Sequence, residues 1–129
     1  MRKSVFIAAL LLLSGSAVAI EKQVLLTGKT LEKAVSGKTI YLQTPLAEIP
    51  IRYQPNGTMT GSSTATLAAL AGEKVKNDTG RWWVRRAELC QQWRSWSKGR
   101  ALCYKLRVSG ASVAWSRSDG ESGTARLAN

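Results

Sequence analysis

Along most of the chain, apolar and polar residues alternate with a period of two, which predicts strands that bury one face. Ile49, Ile51 and Tyr53 alternate with Pro50, Arg52 and Gln54. Pro55, Asn56 and Gly57 then form a turn signal, because Asn and Gly accept positive φ. Residues 58–60 read as the returning strand of a first hairpin. The cleanest alternation lies at 102–108, with Tyr104, Leu106 and Val108 on one face and Cys103, Lys105 and Arg107 on the other. Residues 39–43, 81–84, 89–93, 113–115 and 124–127 complete the set of predicted strands. Ser109-Gly110 and Ser118-Asp119-Gly120 supply turns.

The period changes once. Leu31, Ala34 and Val35 fall at helical spacing, with Thr30 as the expected N-cap, Lys33 where a capping-box acid would stand, and Gly37 as the stop. Residues 61–71, small and weakly polar, fit either a strand with a loop or a short helix. Residues 74–80 read as a polar surface turn. The pattern predicts a mainly β domain: a small antiparallel meander forming a barrel or sandwich, with one short N-terminal helix.

The first residues follow neither period. Met1, Arg2 and Lys3 precede an apolar run over 5–13, Ser14-Gly15-Ser16 breaks it, and Ala17-Val18-Ala19 follows. This is the pattern of a secretory signal peptide, with cleavage expected after Ala19. The apolar run has about half the ~20 residues that a membrane span needs, and no later segment is long and apolar enough to span. The expected division is a signal peptide over 1–19 and one β-rich domain over 20–129, periplasmic or secreted. Losing Arg2 and Lys3 lowers the net charge from +11 to +9.

Export also bears on the cysteines. Cys90 and Cys103 are the chain's two cysteines, and an exported chain with one such pair oxidises it to a structural disulfide. Closing so short a loop stabilises by about 3 kcal/mol. Their spacing is far from a Cys-x-x-Cys redox motif, and a metal site would need further ligands that a chain without histidine lacks.

Composition points away from an enzyme. The absence of His removes the usual general base and the Ser/His/Asp triad. The eight acids are scattered, without the facing pair that glycoside hydrolysis requires. Neither metal nor cofactor is expected. The informative stretch is 81–107, where eight basic residues and one acid, Glu88, are interleaved with Trp82, Trp83, Trp93, Trp96 and Tyr104. Cations beside aromatic rings suit phosphates, sulfates and sugars. Arg85, Arg86, Arg94, Trp96, Lys98, Arg100, Lys105 and Arg107 are therefore the candidate anion-binding residues, against the plainer reading of a solvated charged face. Trp82 is assigned to the core, Trp93 to packing over the disulfide, and Trp96 to an exposed ring.

The run Gly80-Arg81-Trp82-Trp83-Val84, then Leu89-Cys90-Gln91-Gln92-Trp93, then Cys103-Tyr104 resembles a pattern in small exported proteobacterial proteins whose domain families have no known function. The resemblance extends over roughly 31–127 and implies an antiparallel β-domain with one disulfide in a Gram-negative envelope. It brings no catalytic residues. Three roles follow as expectations. The first is a non-enzymatic periplasmic binding module whose basic, Trp-rich face takes an anionic glycan, lipopolysaccharide or lipid headgroups. The second is a protein-interaction module, such as an inhibitor or accessory subunit. The third is a carrier holding an apolar molecule inside a barrel. Nucleic acid is not an expected partner outside the cytoplasm.

Overall fold

A computed structural model describes residues 22–129. The expected signal peptide and its cleavage site after Ala19 lie outside the described residues. The elements follow in the order β1 (Val24–Leu25), α1 (Gly28–Val35), β2 (Thr39–Gln43), β3 (Glu48–Tyr53), β4 (Thr58–Ser62), α2 (Ala65–Leu70), β5 (Asn77–Arg85), β6 (Glu88–Trp93), a 3-10 turn (Trp96–Gly99), β7 (Ala101–Ser109), β8 (Ser112–Ser116) and β9 (Ser122–Ala128).

From β2 onward each strand pairs antiparallel with the next, and β9 returns to pair with β2. Eight strands thus close into an up-and-down barrel, and β1 is an extra strand on β7, with Val24 opposite Val108 and Leu25 opposite Arg107. The closing seam sets Ile40 against Leu127 and Leu42 against Ala125, apolar on apolar. Closure leaves β2 and β9 without free edges.

Period two decides what faces inward. Ile40, Ile51, Tyr53, Met59, Trp82, Leu89, Trp93, Leu106, Val113 and Ala125 are buried in one core. Cys90 and Cys103 are directly opposed across β6 and β7, and their disulfide lies on the outer face, where Cys90 stands opposite Trp83. Trp82 is core, as expected. Trp93 is not over the disulfide. It lies an odd number of residues from Cys90, so it faces the barrel interior instead.

Because consecutive strands alternate in direction, their connections alternate between the two ends. At one end lie the tight turns at 54–57, 86–87 and 110–111, and α1 caps it. Leu31 and Val35 of α1 are fully buried in the barrel core, the Gly28 N–H donates to the Arg86 carbonyl at 2.7 Å, and the Gly37 N–H donates to the Tyr53 carbonyl at 2.8 Å. The helix starts earlier than its pattern predicts: Thr27 holds the extended N-cap position without a side-chain cap, and Thr30 lies inside the helix. At the opposite end are the longer connections 44–47, 63–76, 94–100 and 117–121.

There one segment settles an open choice and another differs from expectation. Residues 65–70 form the second helix, capped by the Thr64 hydroxyl, which accepts from the Leu67 N–H at 3.1 Å. Residues 77–80, read as part of a turn, are the start of β5 and pair with 59–62 of β4. The polar sequence conceals an inward position, because Asp78 is buried and accepts from the backbone N–H groups of Ser95 and Trp96, both at 2.8 Å.

Gly61 of β4 lies beneath two indoles. A methyl group there would fall 2.4 Å from Cζ3 of Trp96 and 2.8 Å from Cη2 of Trp93. Gly61→Val is therefore expected to destabilise the fold by about 1–3 kcal/mol through overpacking. Its exposed neighbour variant Ser62→Ala should stay within about 0.5 kcal/mol of the parent. Urea unfolding followed by tryptophan fluorescence measures both.

Candidate functional site

The basic residues singled out in the sequence do not converge. Arg85 and Arg86 lie at the α1 end, where Arg85 is 3.8 Å from Glu88. Arg94, Lys98 and Arg100 lie on the connection at the other end. The two groups are separated by most of the length of β6, on the order of 17 Å for a strand of that length. Lys105 and Arg107 are exposed on the outward face of β7.

Trp96 is not an exposed ring. It is only 8% accessible, stacks on Trp93 with ring centroids 4.7 Å apart, and donates its indole N–H to the Val75 carbonyl at 2.8 Å. The space left by Gly61 is what draws it inward. The outward indole of this stretch is half-buried Trp83, with the Arg81 guanidinium 5.7 Å from its ring centroid.

The structure instead brings together a cavity inside the barrel. Met59, Trp82, Trp93 and Trp96 fill the sector between β4 and β6. Across the lumen a space of about 210 Å³ remains, walled in part by Ile40, Ile51, Leu106, Val113 and Ala125 of β2, β3, β7, β8 and β9. A second space of about 450 Å³ lies at the end away from α1, bordered by Pro45, Leu46, Leu67 and Leu70. The two share Leu42, Ile51, Gln91 and Tyr104 as wall residues, so these side chains stand between the inner space and the open mouth.

Few polar groups face this space. Toward the α1 end the buried Tyr53 hydroxyl donates to Oε1 of Gln91 at 2.8 Å. Burial is the main cause that pushes the Tyr53 phenol far above its usual range, with nearby Tyr104 adding to it. Toward the mouth stand Tyr104, Trp115 and Arg117. Tyr104 and Trp115 meet edge to face at 5.4 Å. Arg117 is gripped by Asp119, with Nε to Oδ1 at 3.1 Å and an Nη to Oδ2 at 2.7 Å, and its other Nη lies 3.5 Å from the Tyr104 hydroxyl. Those bonds, the Asp119 one foremost, raise the Arg117 pKa, so it stays charged. The Trp115 ring lies over Gly123, where a Cβ would clash with it. Its Nε1–H is buried and has no hydrogen-bond partner. A buried donor left unpaired costs about 1–3 kcal/mol, which makes this indole the one wall group here that lacks an acceptor.

The walls of this space are aliphatic and aromatic, with one unsatisfied donor and one cation at the rim. Among the described residues, no three His, Cys, Asp or Glu side chains converge, and no helix is long and apolar enough to cross a membrane. No protein-family model, curated protein or solved structure matches the chain. Neither Trp115 nor Arg117 stood out in the sequence. The available signal was Gly123 and Ala125 alternating inward on β9, small residues where a filled barrel would carry large ones.

The Tyr53 shift has a consequence for stability. The folded state holds the phenol proton more tightly than the unfolded chain does. Its contribution is therefore complete below the ordinary phenol pKa of about 10 and is lost as pH rises above it. Tyr53→Phe is expected to cost about 1–3 kcal/mol at neutral pH by leaving Gln91 Oε1 without its donor. The same variant should flatten the alkaline decline. Urea unfolding at several values between roughly pH 8 and pH 11 tests both effects; an undiminished alkaline slope in Tyr53→Phe would assign the decline to other groups.

Proposed function

We propose that this chain is a non-enzymatic binding module of the cell envelope that holds a small, mainly apolar molecule in its barrel, with an oxygen acceptor of that molecule on Trp115 Nε1. The observation that carries this reading is the inner space itself, whose mainly apolar wall it shares in part with the open mouth. Eight-stranded barrels are of the size that holds one small ligand when their side chains leave room, and pockets that bind such ligands combine apolar walls with a few placed polar groups. The acceptor requirement follows from the orphaned indole N–H, and the Arg117 guanidinium, shared with Asp119, lines the same space as a further donor to a carboxylate head. The anionic component expected from the basic sequence thus becomes an anionic amphiphile, with its apolar part in the barrel.

Binding of N-phenylnaphthylamine, read by its fluorescence and by displacement with dodecanoate, tests the proposal. Saturable binding by the parent chain is expected. Ala125→Leu, which fills the inner space, should weaken it at least tenfold with little change in unfolding midpoint. Trp115→Phe keeps a ring but removes the donor. It should weaken dodecanoate by about tenfold, equivalent to about 1.4 kcal/mol, while leaving the amine probe nearly unchanged. Absence of saturable binding, or equal binding by Ala125→Leu, would overturn the reading.

A further inference from the structure

We infer that the open end of the barrel docks on an anionic lipid bilayer. Two sets of residues lie there. Leu46 and Leu70 border the mouth and are 64% and 69% exposed, and Val75, on the same connection as Leu70, is 39% exposed. The connections at the same end carry Lys74, Lys76, Arg94, Lys98 and Arg100, all exposed. Among the described residues, none of these cations forms an ion pair.

The carboxylates of Asp78 and Glu73 are instead turned toward backbone N–H groups. Asp78 accepts from the Ser95 and Trp96 N–H groups, and Glu73 accepts from the Ser97 N–H at 3.0 Å. Elsewhere on this rim, Asp119 is held by Arg117 and Glu48 by Arg126. The same bonds fix the two basic segments, 74–76 and 94–100, side by side. Ser97 and Lys98 are held at positive φ within that second segment.

Exposed leucines at the same end as uncompensated cations have the chemistry of an interfacial lipid-binding surface: apolar side chains enter the acyl boundary while Lys and Arg sit among anionic headgroups. A purely polyanionic partner such as a nucleic acid or an acidic glycan would leave Leu46 and Leu70 without a role, so a bilayer is the partner that accounts for both sets. Docking rests on surface residues and stands apart from occupancy of the barrel.

Co-sedimentation of the chain with phosphatidylglycerol vesicles and with phosphatidylcholine vesicles, at low and high salt, tests this. Binding to the anionic vesicles alone is expected, falling at least tenfold at high salt, since screening shortens the reach of surface charges. Leu70→Asp with Leu46→Asp, and separately Lys98→Glu with Arg100→Glu, should each lower it at least tenfold. Arg85→Glu with Arg86→Glu, at the opposite end, should leave it unchanged. Ala125→Leu should dock like the parent even though its barrel is filled, so docking and cavity binding can fail separately. No binding to anionic vesicles at low salt, equal binding to both lipids, loss through the opposite-end variant, or indifference to the leucine variants would each overturn the inference; the last, together with capture on heparin, would identify a polyanion surface instead.

Discussion

The pairing of β9 with β2 is the contact on which the rest of this structure depends. Every other strand pair but one, β1 with β7, joins neighbours in sequence. This one spans nearly the whole domain and turns an open meander into a barrel. It separates an inside from an outside, gives the lumen a fixed width, and removes two edges that would otherwise invite pairing with other chains. The seam carries Ile40, Leu42, Ala125 and Leu127 inward, so the residues that close the barrel are also among those bordering the space within it.

A closed eight-stranded lumen is just wide enough for side chains to fill. Here the filling is uneven. Trp93 and Trp96 are seated over Gly61, and the Met59 methyl and Trp93 crowd Gly80, so one sector is solid. On the far side Trp115 occupies the place above Gly123, while Val113 and Ala125 are too small to meet their counterparts across the axis. The cavity is the complement of the tryptophan cluster. Trp93 and Trp96 crowd one sector, while aliphatic side chains with Tyr104 and Trp115 leave the space in the other.

Strand positions were legible in the sequence because alternation is a local signal; β2 falls on residues 39–43 as the pattern predicts, and the faces of 102–108 are correctly divided. The barrel itself was legible only as one of two options, since closure depends on a partner more than eighty residues away. Trp96 was misplaced for a similar reason. Its flanking residues are polar and carry no period, and its burial comes from Gly61 and from the Val75 carbonyl, neither of them adjacent in sequence. The basic cluster illustrates a further limit. Residues close along a meander are carried to opposite ends whenever a strand intervenes, so Arg85 and Arg94 are near in number and far apart in space. The cavity left no motif, because its wall residues come from strands distant in sequence.

The two ends of the barrel divide the work of fold and function. Short turns and the buried face of α1 leave the closed end with little freedom. The long connections lie at the open end, where loops carried on a rigid scaffold are positioned to meet other molecules. Those connections are not loose, because Asp78 and Glu73 tie 73–78 to 95–97 through backbone N–H groups. Asp78 and Glu73 each give one oxygen to backbone donors, and among the described residues neither forms an ion pair with a lysine or arginine. Removing the Asp78 carboxylate would loosen the rim even as it made the rim more positive, which separates how strongly this face attracts anions from how well it presents them a fixed surface.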